Sequence, residues 1–150
     1  MNHAIEQLLT RQACQDLVLR AAAFADAGDA QALAQLFAED AVLQRPSGDP
    51  LHGRAAIGAA YAQRPAGRIT RHLVTSTLFD FADEDHPQAL SQVLLWSCDA
   101  AAEAGPQGRS AHARQLVGEF DDQFVRAPDG RWRIQRRGAR FVMFRDADSA

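Results

Sequence analysis

The stretch from Ile69 to Phe81, ITRHLVTSTLFDF, constrains the fold more than any other part of the chain. β-Branched and aromatic residues dominate it, so it reads as one long strand able to cross a whole sheet. Leu73, Thr75, Thr77, Phe79 and Phe81 fall on one parity, and His72, Val74, Ser76 and Leu78 on the other. His72 therefore shares a face with mostly apolar neighbours. An imidazole in that place is either a core histidine satisfied by one hydrogen bond or a group facing a cavity.

Helical signals precede this strand. Ile5, Leu8, Leu9, Ala13, Leu17, Ala21 and Phe24 recur at helical spacing, which predicts an amphipathic helix over residues 3–27. Gly28 suits its C-terminal cap, and Asp29 suits the N-cap of a short second helix from Ala30 to Phe37. A brief strand is expected from Ala41 to Arg45, then a turn-rich loop from Pro46 to Gly53. A third helix follows from Arg54 to about Gln63, ended by Pro65 and Gly67.

After the long strand come three more. One spans Ala89 to Asp99, and two span His112 to Arg126 and Arg131 to Phe144, joined by the turn Pro128-Asp129-Gly130. Helices first and long antiparallel strands afterwards define an α+β layout, with helices on one face of a sheet. A length of 150 residues is expected to form a single domain, residues 1–150, large enough to bury a core.

Charge and motif content narrow the function classes. A net charge of -3 gives no electrostatic case for nucleic acid or an anionic membrane. The arginines between Arg131 and Arg145 alternate with apolar and acidic residues, as on the solvated face of strands. Cys14 and Cys98 have no metal-ligand spacing, and no Gly-rich loop links a strand to a helix, so neither a metal nor a nucleotide cofactor is expected. Without a signal-peptide pattern or an apolar run near ~20 residues, a cytoplasmic location is the expectation.

Four segments then carry a family resemblance: FADAGDAQALAQLFAEDAVL (24–43), HGRAAI (52–57), TRHLVTS (70–76) and GEFDDQFVRAPDGRWRIQRR (118–137). In these the chain resembles SnoaL-like proteins of the nuclear-transport-factor-two-like superfamily. That group also holds ketosteroid isomerases, scytalone dehydratases and dioxygenase small subunits. The resemblance implies a cone-shaped curved antiparallel sheet packed against three N-terminal helices and enclosing an apolar pocket. One such scaffold hosts several chemistries.

Candidate catalytic residues follow from both sources. By resemblance, Asp26 matches the aspartate that assists the catalytic histidine of scytalone dehydratases, and His72 matches that histidine. Read from its position alone, Asp26 could instead serve a structural role beside the Gly28 break. Asp122 is exposed by periodicity: it interrupts the apolar parity Leu116, Gly118, Phe120, Phe124, so it is a buried acid or marks a register break. Turned inward, it would be a second acid able to bond His72 or Arg136.

Arg136 shares the parity of Trp132 and Ile134, either in a structural ion pair or as a ligand for a substrate oxyanion. Tyr61, Trp96 and Phe120 complete the candidate ligand-binding set, although aromatics at such spacing also serve as core. Other parts of the dehydratase pattern differ. Ala25 stands where a tyrosine precedes the family aspartate, Arg45 lies near the position of the strand tyrosine, and Ser97 to Asp99 hold no second histidine.

Two functions are open at this level. One is a cofactor-independent acid-base lyase or isomerase acting on a small apolar or aromatic carbonyl compound. The other is a non-catalytic ligand binder, or an accessory subunit resembling the dioxygenase small subunits. Val93, Leu94, Leu95 and Trp96 make both faces of their strand apolar, which predicts a homodimer or homotrimer.

Overall fold

A computed structural model describes residues 2–146. Helix α1 spans His3–Ala27, α2 spans Ala30–Gln35 and α3 spans Arg54–Ala62. The strands are β1 Phe37–Gln44, β2 Leu51–His52, β3 Arg68–Asp80, β4 Gln88–Asp99, β5 Gln115–Arg126 and β6 Trp132–Arg145. They form one six-stranded sheet in the order β2-β1-β6-β5-β4-β3. Helices on one side of a curved sheet make the cone-like α+β architecture that the sequence predicts.

Local chemistry sets the helix ends. The Asn2 side chain accepts the Ala4 amide at 2.9 Å to open α1. Gly28 closes α1 in the left-handed region at φ 72°, where an L-residue with a Cβ would be strained. Asp29 then accepts the Ala32 amide at 3.0 Å and starts α2. Cys14, Leu17, Val18, Ala21 and Ala22 form the buried stripe of α1, spaced three and four residues apart. Ile5, Leu8 and Leu9, expected on the buried face, are instead exposed, because at 100° per residue they fall on the side of the helix opposite this stripe.

Two features depart from expectation. Phe37 is extended rather than helical, because it already pairs with Ile134 of β6, and β1 therefore starts four residues before the expected Ala41. That pairing is parallel, so the sheet is mixed, while β3 to β6 form the expected antiparallel series. The Pro46 to Gly53 loop also contributes β2, which pairs with β1 through Val42–His52 and Leu43–Leu51.

The core between helices and sheet holds Val18, Phe37, Leu43, Ile57, Phe124 and Ile134, none more than 1% exposed. Full burial of side chains of this size contributes about 1.5–3 kcal/mol each.

Bulges decide which residues face this core. In β3 the pairing slips between Val74 and Ser76, leaving Thr75 without an opposite residue. Thr70, His72 and Val74 face inward before the slip, and Thr77 and Phe79 after it. Leu78, placed by simple alternation beside His72, is 74% exposed. A second bulge in β6 leaves Gln135 unpaired: Ile134 pairs with Phe124 and Arg136 with Gln123. The inward parity therefore passes from Ile134 to Arg137. Arg136 is exposed and Arg137 buried.

Candidate active site

Asp26 lies in the last turn of α1, where the helix dipole disfavours a carboxylate. Three donors offset that cost. His72 Nδ1 is 2.6 Å from Asp26 Oδ1, and the His72 backbone N–H donates to Oδ2 at 2.8 Å. Thr70 Oγ1 donates to Oδ1 at 2.9 Å. Burial pushes the Asp26 carboxyl up, but the bonds and charge of His72 and the Thr70 hydroxyl together hold it below the usual aspartate range.

Arg64 fixes the direction of the Thr70 bond. One terminal nitrogen donates to the Ala25 carbonyl and the other to Thr70 Oγ1, each at 2.6 Å. Guanidinium only donates, so Thr70 accepts from Arg64 and its single hydrogen goes to Asp26. An ionised Asp26 only accepts, which places a hydrogen on His72 Nδ1. Nε2 then carries the lone pair of the neutral ring.

That ring lines a cavity of about 530 Å³, within the range of small-molecule sites. Its inner wall is largely apolar: Ala21, Leu33, Phe37, Val93 and Phe120 line it with Tyr61. The His72 and Phe120 rings are 6.4 Å apart, centroid to centroid. The His72 and Asp26 side chains are only 19% and 10% exposed. A general base with a solvent-shielded orienting carboxylate, beside an apolar cavity, can move a proton to or from a bound ligand.

Asp122 faces inward, as its parity predicts, but meets neither His72 nor Arg136. It accepts from Arg137 Nε and Nη2 at 2.7 and 2.8 Å in a buried two-bond ion pair. Burial works against the Arg137 charge, yet the Asp122 carboxylate outweighs it and raises the guanidinium pKa. Arg137 lines the cavity and lies over the Phe120 ring, 4.1 Å from its centroid; Asp122 stands behind it and does not line the cavity.

Arg136 and Trp96 do not line the cavity. The β6 bulge turns Arg136 outward, and the alternation of β4 puts Val93 and Leu95 inside while Trp96 is 43% exposed on the opposite face. Thr70, Arg64 and Arg137 escaped the sequence reading. Thr70 carries a signal there, sharing the parity of His72 two residues away; Arg137 carries none without the bulge.

Among the described residues, no group of three His, Cys, Asp or Glu side chains is placed to hold a metal ion. A larger cleft of about 810 Å³, lined by His3, Glu84, His86 and Trp132 among others, does not include His72. Its charged side chains are mostly exposed, and no histidine–carboxylate pair in it is shielded from solvent.

The family model of the SnoaL-like domain matches residues 6–138, nearly the whole chain. The chain belongs to the SnoaL-like family. Solved structures place this SnoaL-like chain within the nuclear-transport-factor-two-like fold. A putative scytalone dehydratase from Novosphingobium aromaticivorans is 23% identical, with a TM-score of 0.74 over 96% of this chain and 91% of that one. A Mycobacterium tuberculosis protein of unknown function is 25% identical, with a TM-score of 0.74 over 94% and 76%. A hexachlorocyclohexane dehydrochlorinase is 17% identical, with a TM-score of 0.80 over 98% and 95%.

Proposed function

We propose that this SnoaL-like protein binds a small apolar or aromatic carbonyl compound and acts on it as a cofactor-independent acid-base lyase or isomerase. The observation that carries this reading is the Asp26–His72 pair, 2.6 Å apart, whose imidazole lines a cavity with largely apolar inner residues. His72 Nε2 takes a proton from the carbon next to the carbonyl. The freed electron pair then forms a new double bond as a leaving group departs, or the proton returns at another carbon. Asp26 holds the ring in the Nδ1–H form and stabilises the imidazolium. Arg137, anchored by Asp122, offers its remaining N–H groups to the negative charge that develops on oxygen.

Two of the structural neighbours carry names that denote elimination, a dehydratase and a dehydrochlorinase. That agrees with a base and a charge-stabilising cation but does not choose between water loss and isomerisation. Turnover of a panel of cyclic and aromatic carbonyl compounds by the purified protein, beside His72→Ala and Asp26→Asn, tests the reading. Loss of a general base costs about 10²- to 10⁴-fold in rate. Equal rates in wild type and His72→Ala would sink it.

The outer sheet face favours assembly in addition. Leu73, Leu94, Val117 and Met143 oppose one another in a row across β3, β4, β5 and β6. Leu73, Leu94 and Met143 are 49%, 37% and 59% exposed, and Trp96 adds to the patch. We read this face as the contact of a homodimer or homotrimer. An accessory role resembling that of dioxygenase small subunits would use the same face without turnover. We also read residues 1–150 as one domain, since all three helices and most of the strands contribute to one core; its outermost residues lie outside those described. A cytoplasmic location completes the proposal, with two unpaired cysteines that suit a reducing compartment.

A further inference from the structure

Five arginines line the cavity that holds His72: Arg45, Arg64, Arg68, Arg137 and Arg140. Their charges are unevenly balanced. Arg137 is paired with Asp122 and Arg140 with Glu119. Among the described residues, Arg64 and Arg68 bond only neutral oxygens, the latter through Ser97 Oγ at 3.2 Å. Arg45 has no ion pair and no side-chain hydrogen bond among the described residues, and its Nε is buried without an acceptor. Arg133 has a similarly orphaned Nε, but its guanidinium is paired with Asp129 and lies outside this cavity.

Arg45 follows the end of β1 and is half-buried beside the exposed Pro46, Ser47 and Gly48, while Arg68 is exposed at the start of β3. Both therefore lie on the solvent side of a cavity whose inner wall is apolar. Gln44 ties the loop down by donating to the carbonyls of Arg45 and Gly48 at 2.8 and 3.1 Å. Among the described residues neither guanidinium has a carboxylate bonded to it, so both keep N–H groups that can receive an anion. A guanidinium matches a carboxylate with two parallel N–H···O bonds.

We propose that the ligand of this cavity is a carboxylate-bearing compound: its apolar body reaches His72, and its carboxylate is held by Arg45 and Arg68. The inference rests on the cavity being the ligand site, and it adds a charge requirement that an apolar cavity alone would not impose.

The test uses 3-phenylpropionate and its uncharged primary amide as probes of equal size. Binding to the full chain is followed by NMR through the ring signals of His72. The acid binds about tenfold or more tightly than the amide in wild type, in line with a charge-assisted bond. The preference disappears in Arg45→Met and weakens in Arg68→Gln, with amide spectra confirming that each variant is folded. Arg133→Gln, which lies outside the cavity, keeps it.

Equal binding of acid and amide, both shifting His72, overturns the charge requirement and leaves the cavity reading standing. Failure of both probes to shift His72 overturns the inference together with that reading. A preference lost equally in Arg133→Gln overturns the assignment to Arg45 and Arg68.

Discussion

The two oxygens of Asp26 hold both the ring and the backbone amide of His72, at 2.6 and 2.8 Å. One carboxylate at the end of α1 thus fixes the position of β3 and the orientation of the imidazole that β3 carries. Because the ionised carboxylate only accepts, the neutral ring is held as the Nδ1–H tautomer. Nitrogen-15 correlation spectra of the neutral histidine should show a protonated Nδ1 and an unprotonated Nε2. In Asp26→Asn, whose amide both donates and accepts, that preference should collapse; an unchanged tautomer would show that the carboxylate does not set it.

Stability should depend on Asp26 in acid. Its folded pKa is lowered, so the unfolded chain binds the proton more tightly than the folded one. The contribution is fully present above the unfolded aspartate pKa of about 3.9 and is lost as pH falls through the lower folded value. Urea midpoints measured from pH 6 to pH 2.5 should fall more steeply for wild type than for Asp26→Asn. Parallel curves would remove this residue from the acid response.

The Asp122–Arg137 pair should behave as a unit. The side chains are 0% and 6% exposed, so deleting either partner strands a buried charge or its donors. Asp122→Leu or Arg137→Met alone should cost about 3–5 kcal/mol in denaturant unfolding. The double variant should cost clearly less than the sum, because no charge is left unpaired. Additive losses would mean that the pair contributes packing only.

Thiol chemistry should separate the two cysteines. Cys14 is fully buried in α1, and burial pushes its thiol up to about 12. Cys98 is only half-buried. At pH 8 an aromatic disulfide reagent should modify Cys98 in the native protein and reach Cys14 only on unfolding. Two equivalents released at the same native rate would show that α1 opens readily.

The outer face offers a solution test. Leu94→Arg with Trp96→Glu places two charges on the exposed row of β4. Light scattering at micromolar concentration should find an assembly for wild type and a monomer for the double variant. A wild-type monomer would end the case for self-association.

Element identity was largely readable from the chain. The Gly28 and Asp29 caps and the β-branched run of β3 act over a few residues, and a sequence displays them directly; the buried face of α1 was legible only at Leu17 and Ala21, since Ile5, Leu8 and Leu9 are exposed. Asp122 was legible as an inward acid because β5 keeps strict alternation from Gly118 to Phe124. Its partner was not. One unpaired residue at Gln135 exchanges Arg136 for Arg137, and one at Thr75 puts Phe79 rather than Leu78 on the face of His72. Parity is a local property, whereas a bulge arises from how one strand fits its neighbour across the sheet.

Sequence by itself determined the α+β class, the order of its main elements and the family, together with Asp26 and His72 as candidates. Tertiary structure decided which oxygen meets which nitrogen, which arginine enters the cavity and which arginines at its entrance have no carboxylate bonded to them among the described residues. Those outcomes depend on strand register and on contacts between residues far apart in the chain, such as Asp26 with His72, 46 positions on. Hydrophobic periodicity carries no record of them.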